Sequence, residues 1–231
     1  MTTDKRPLLL FSGGLDSTYH LWWFIASGTD VDVVYIGGDQ HPSKVDKEKE
    51  AVKNILIWLA DLRVKNPGFG RVVEVHEVNM QITSIGSNGN PGFSQVPLWI
   101  FGLSRVVKPW EHSEIILSYV QGDQYCAMVP HLQEAWKHYF KCTINSLDQH
   151  EFVPIKAPLA VDHTKSSILS VLPEELLKLV WWCEIPITKG KKTTKIFPCK
   201  KCVACERMQK ELFFFNREKR ISQKDPALKN K

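Results

Sequence analysis

Ser12, Gly13, Gly14, Leu15, Asp16 and Ser17 follow directly on an apolar run at residues 8–11. Two adjacent glycines let a backbone approach a ligand closely. Where a helix starts just beyond them, its unpaired N–H groups favour an anion. Ser12 and Ser17 add hydroxyl donors, and Asp16 carries the charge to orient a magnesium ion bridging phosphates. The chemistry of such a loop is to hold a pyrophosphate. A second group lies far along the chain: Cys199, Cys202 and Cys205 form Cys-x-x-Cys-x-x-Cys, and Cys183 stands upstream across a basic, turn-rich segment. Four thiolates are the donor set of a closed tetrahedral structural zinc site. A redox pair and an iron–sulfur cluster are the alternatives. Cys126 and Cys142 stand alone and read as small buried hydrophobes.

The elements that must position these groups alternate between strand and helix. The run at 8–11 is short, wholly apolar and preceded by Pro7, as in a buried parallel strand. Residues 15–26 read as a helix with Leu15, Tyr19, Trp22 and Trp23 on one side. A second strand is expected over 31–36, and helical spacing follows at Val52, Ile55, Leu56 and Leu59. Further strands are expected at 71–78 and 114–120, and helices at 97–110, 132–139, 164–171 and 174–180. Residues 81–93, rich in Gly, Asn and Ser, read as a loop. This order predicts an α/β fold with a doubly wound, mainly parallel sheet, whose ligands gather at the carboxyl ends of the strands. The loops at 12–17, 37–41 and 122–125 would meet at that edge. The expected division is a pyrophosphate-binding α/β domain over 1–180 and a small four-cysteine zinc region with a basic tail over 181–231.

The chain has 231 residues, is 43% hydrophobic and carries a formal charge of +5, much of it beyond Lys189. That length buries one good core and a small appendage. No apolar run approaches a membrane span and residues 1–6 are polar, so a cytoplasmic protein without membrane contact is expected. The basic tail reads as solvated surface, with docking to an acidic partner as the sharper alternative.

No Gly-Lys-Ser/Thr follows the glycine pair, which excludes the common phosphate loop with a lysine on the β/γ-phosphates. The Ser-Gly-Gly-x-Asp-Ser pattern instead resembles the PP-loop of the ATP pyrophosphatase superfamily. The resemblance implies enzymes that hold ATP by its β/γ-phosphates and transfer AMP to a substrate oxygen. Together with the cysteine cluster, the chain resembles the 7-cyano-7-deazaguanine synthase (QueC-type) family from about Leu8 to Arg207. Gly38, Gln40 and His41 fall where that family has Tyr-Gly-Gln-x-His, with Asp39 interrupting. Val96-Pro97 matches the start of its Val-Pro-x-Arg-Asn, Gly122-Asp123 its Gly…Asp, and Trp182-Cys183 its Trp-Ser-Cys. Ala157-Pro158-Leu159 with Lys165 and Ile168 is similar to its Thr-Pro-Leu…Lys…Ile stretch.

The family resemblance implies ATP-dependent conversion of 7-carboxy-7-deazaguanine and ammonia to an amide and then the nitrile. It implies ATP, Mg2+ and structural Zn2+ as cofactors, and a homodimer. The backbone at Gly13, Gly14 and Leu15 would take the β/γ-phosphates, with Ser12 and Ser17 adding hydrogen bonds and Asp16 placing magnesium. Lys165 would neutralise charge near the α-phosphate, and Asp123 would orient ribose or magnesium. Gln40, His41 and Trp99 would contact substrate, and Cys183, Cys199, Cys202 and Cys205 would hold zinc. Two departures touch the substrate side: Trp99-Ile100 replaces Arg-Asn, and Val129-Pro130-His131-Leu132 replaces a Tyr-Pro-Asp-Cys-Arg segment. They favour, as an alternative, a diverged enzyme of phage or antiphage defence (CBASS-type). It would activate a deazaguanine-like or purine carboxylate and join it to an amine on a protein or nucleic acid. More distant alternatives are a tRNA-modifying PP-loop enzyme and a nucleotide-binding regulator without turnover.

Overall fold

The computed structural model describes residues 5–37, 42–80, 95–123, 125–144, 150–189 and 195–224, with backbone alone at 95–98 and 214–224. The apolar runs become the strands of one sheet: β1 (Arg6–Leu10), β2 (Val31–Gly37), β3 (Val72–Asn79), β4 (His112–Ile116) and β5 (Ile155–Lys156). Their order is β3-β2-β1-β4-β5 and every pairing is parallel. All seven residues of β2 are buried, as a strand covered on both faces must be.

The two-residue period of the strands sorts their side chains into two cores. Leu9, Val33, Tyr35 and Ile116 face α1 (Leu15–Ala26), α2 (Pro42–Lys65) and the short helices α5 (Leu159–Asp162), α6 (Lys165–Val171) and α7 (Glu174–Leu177). Leu8, Val34, Ile36 and Ile115 face α3 (Gln95–Ser104) and α4 (Val129–Thr143), meeting Leu103, Trp136 and Phe140. Helix α8 (Val203–Lys224) adds Met208 to the first core, and β6 (Ile187–Lys189) and β7 (Lys195–Phe197) pair antiparallel as a separate two-stranded sheet. The α/β doubly wound fold expected from the sequence is the one observed.

Because β1 lies between β2 and β4, the strand order reverses there. That switch point opens a crevice beyond the carboxyl ends of β1 and β4.

Several details differ from the sequence expectation. Helix α3 ends at Ser104 rather than running to 110, and β4 ends at Ile116 rather than 120. Trp23 is half exposed, because Leu21, Phe24 and Ile25 take the inward positions of α1. Cys142 is exposed rather than buried: the inward stripe of α4 is Leu132, Trp136 and Phe140, and position 142 turns away from it. The loop read at 81–93 and the stretch 38–41, with Gln40 and His41, lie outside the described residues. Among the described residues no helix is long and apolar enough to cross a membrane.

Candidate active site and metal centre

The glycine loop joins β1 to α1 and is held from two sides. Gly13 has φ +72°, a left-handed conformation that glycine adopts without strain. A Cβ there would lie 3.0 Å from both Ala51 Cβ and Val52 N, so the loop is pressed directly onto α2. From the other side, the Trp181 N–H donates to the Gly13 carbonyl at 3.0 Å. Ser12 Oγ accepts the Gly14 N–H at 3.4 Å, and Ser17 Oγ donates to the Gly14 carbonyl at 3.3 Å. Gly14 is the N-cap of α1. The first-turn N–H groups of the helix, which no intrahelical carbonyl can reach, therefore open at the crevice.

Four charged side chains from four parts of the chain converge here. Lys165 Nζ lies 2.5 Å from Asp16 Oδ2 and 4.0 Å from Asp123 Oδ1. Arg207 Nη1 donates to Asp123 Oδ1 at 2.5 Å. Each has a local anchor. Asp16 is in the first turn of α1. Lys165 opens α6, whose start is fixed by a reciprocal capping box between Thr164 and Ser167. Asp123 follows Gly122 beyond β4 and accepts the Val120 N–H at 3.2 Å. Arg207 lies two residues after Cys205 on α8.

Asp16 is not fully satisfied by this arrangement. Its Oδ1 is buried and has no hydrogen-bond partner. Burial pushes its carboxyl above the ordinary range; Lys165 pulls it back and Asp123 adds to the rise. An anionic oxygen left bare inside a protein is costly unless a cation completes it. The donor chemistry therefore fits a divalent cation at Asp16.

Two adjoining cavities share Ser12, Gly14 and Asp16 as floor. The smaller, 270 Å³, is walled by Tyr35, Ile36, Trp99 and Tyr119. Trp99, Tyr119 and Tyr125 form a ring cluster with centroids 5.9–6.5 Å apart. The Tyr119 hydroxyl is buried without a partner. The larger, 600 Å³, is walled by Trp181, Trp182, Ala204 and Met208, and both Lys165 and Arg207 line it. Between the two sits a polar network: the buried Tyr35 hydroxyl donates to buried Glu48 at 2.9 Å, and buried Lys44 bridges Glu48 and the exposed Glu184.

The four cysteines come together. The sulfurs of Cys183, Cys199, Cys202 and Cys205 all lie within 4.8 Å of one another, a donor set able to hold a metal ion. Lys200 turns the chain with φ +63°, which aims the N–H groups of Lys201 and Cys202 at Cys199 Sγ at 3.4 and 3.2 Å. The Lys201 N–H is the main reason, against some burial, that the Cys199 thiol is lowered to about 6. Burial raises the Cys183 and Cys205 thiols.

The structure thus brings Ser12, Gly13, Gly14, Leu15, Asp16, Ser17, Asp123, Lys165 and Trp99 to one crevice. Arg207, Lys44, Glu48 and Tyr119 escaped sequence reasoning. Arg207 had one signal: it follows Cys205 of the cysteine cluster by two residues, so the cluster fixes its place on the helix.

No family model and no curated protein matches the chain. Among solved structures, it is similar to the U34-tRNA thiolase NcsA from Methanococcus maripaludis with its 4Fe–4S cluster. The identity is 15% and the TM-score 0.44, covering 94% of this chain and 68% of that one. It is also similar to NMN synthetase from Francisella tularensis, at 12% identity and TM-score 0.32, covering 92% of this chain and 84% of that one.

Proposed function

We propose that the chain is an ATP-dependent enzyme that transfers AMP to an acceptor carboxylate at the glycine loop. The carrying observation is Lys165 held at Asp16, beside a helix start whose N–H groups suit phosphate oxygens. The smaller, aromatic-walled cavity suits the adenine, with Trp99 and Tyr119 against a purine ring. Phosphates then reach the Gly13–Gly14 backbone, and Ser12 and Ser17 add hydroxyl contacts. Magnesium held at Asp16, with Asp123 near by, would neutralise phosphate charge. Lys165 moves onto the α-phosphate and stabilises charge as it develops there. The acceptor carboxylate oxygen attacks phosphorus, the bond to the β-phosphate oxygen breaks, and pyrophosphate leaves.

The acceptor that best suits the loop and the cysteine cluster together is 7-carboxy-7-deazaguanine or a close analogue. Ammonia attacks the acyl-adenylate to release AMP and give the amide, and a second activation dehydrates the amide to the nitrile. The departure at Val129-Pro130-His131-Leu132 favours the second reading, in which a related carboxylate is joined to an amine on a protein or nucleic acid. Incubation with ATP, magnesium, ammonium and 7-carboxy-7-deazaguanine, followed by mass spectrometry, tests both. Nitrile with AMP and pyrophosphate supports the first reading. AMP without nitrile, or pyrophosphate with only a stalled adenylate or amide, supports the second. ADP and phosphate overturn both.

We assign zinc to the four cysteines as a structural ion. Tetrahedral ligands at about 2.3 Å from zinc stand about 3.8 Å apart, which the observed spread accommodates. A four-iron cluster places each thiolate on a separate iron and needs them further apart. Cys199→Ser is expected to lose the ion and lower the melting temperature, because metal binding and folding are coupled. One zinc per chain and unchanged melting would refute the assignment. We further propose a cytoplasmic homodimer.

A further inference from the structure

The helix that carries Cys205 contributes a side chain to the crevice that the adenylation scheme has not used. Arg207 lies on α8 two residues after Cys205 and reaches across to Asp123 at the end of β4. Among the described residues, Lys165 and Arg207 are the cations lining the larger cavity, and the adenylation scheme places Lys165 on the α-phosphate. We propose that Arg207 is the residue that binds the acceptor's carboxylate, making the larger cavity a site for a flat aromatic ring bearing an anionic group. This rests on the adenylation reading above.

The geometry supplies each part. A guanidinium has five N–H donors in a fixed fork. Asp123 holds it through Nη1, and the side chain remains about a third exposed toward the cavity. That leaves donors to meet both oxygens of a carboxylate, the pairing for which the fork is shaped. Asp123 acts here as the brace that sets the fork's plane. Beside it, Trp181, Trp182 and Met208 supply the apolar wall an aromatic acceptor requires. The larger cavity shares its floor with the glycine loop, so a carboxylate on Arg207 lies next to the phosphate site. The four carboxylates lining the cavity, Asp16, Glu48, Asp123 and Glu184, would otherwise repel an anion, which makes a dedicated cation necessary. The cysteine cluster then has a functional consequence: it fixes the helix turn that aims this arginine.

The test is a binding experiment with three probes: a non-hydrolysable ATP analogue with magnesium, 7-carboxy-7-deazaguanine, and 7-deazaguanine lacking the carboxylate. Calorimetry on the zinc-loaded full chain compares wild type, Arg207→Lys and Arg207→Gln. Wild type is expected to prefer the carboxylate by about tenfold or more. Arg207→Gln should reduce that preference to within about twofold, with Arg207→Lys between them, while ATP-analogue affinity and zinc content stay unchanged. Retention of the full preference by Arg207→Gln overturns the proposal, as does its absence in wild type. Failure of wild type to bind the ATP analogue instead sinks the adenylation reading, so the two failures are told apart.

Discussion

Two buried carboxylates stand at opposite ends of the sheet and are treated in opposite ways. Asp32, near the start of β2, is fully buried and completely partnered. It accepts from Arg6 Nε and Nη2 at 3.1 and 2.9 Å, from His112 Nε2 at 3.2 Å and from the Glu74 N–H at 2.9 Å. His112 is oriented for this because its Nδ1 accepts the Lys108 N–H at 2.9 Å, leaving the proton on Nε2. Burial alone would raise Asp32, but the bonds from His112 and Arg6 outweigh it and hold the carboxyl at about 2. Asp16, beyond the end of β1, has a bare buried oxygen and a raised carboxyl. Folding completes the first carboxylate and leaves the second to a ligand. The amino end of the sheet is built for stability, and the carboxyl end holds charge in readiness.

Exchanging each carboxylate for its amide separates the two roles. Asp16→Asn should lower pyrophosphate release by about a thousandfold with a much smaller change in melting temperature, since losing the pairing with Lys165 is offset by relief of the bare buried oxygen. A fall in melting temperature with normal turnover would reverse the assignment. Asp32→Asn should do the opposite, costing about 3 kcal/mol in denaturant unfolding while turnover per folded molecule persists. Because the folded pKa of Asp32 lies below its unfolded value, its stabilisation is complete above about pH 4 and is lost as pH falls toward 2.

His20 sharpens the contrast with a buried group that its surroundings keep neutral. It is stacked on Phe24, bonded to Ser118 Oγ at 3.2 Å and faced by His163. Burial, and then the nearby His163, lower its pKa from 6.5 to about 4. The unfolded chain therefore takes up the proton first as pH falls, and stability drops between 6.5 and 4. The expected loss from His20 is about 2 kcal/mol between about pH 7 and pH 5. His20→Gln should flatten that part of a pH–stability curve; an unchanged slope would place the titration elsewhere.

The same contrast explains what the sequence made legible. The glycine loop and the Cys-x-x-Cys-x-x-Cys run are local devices, with partners a few residues apart, so their spacing states their chemistry. Strand runs such as 31–36 were readable because a covered parallel strand is nearly all apolar, with Asp32 the exception in that run. Asp32–His112 and Asp123–Arg207 join residues 80 and 84 positions apart, and no local pattern marks such pairs. Cys142 shows the same limit in reverse: its residue type suits burial, but the face of α4 decided its exposure.

Carboxylate-dependent exchange of labelled pyrophosphate into ATP tests adenylation at the glycine loop most directly, because it reads the reversible formation of an acyl-adenylate. Wild type with 7-carboxy-7-deazaguanine and magnesium is expected to exchange label, and Asp16→Asn to show almost none. Equal exchange by both proteins, or conversion of ATP to ADP and phosphate by wild type, would contradict the account.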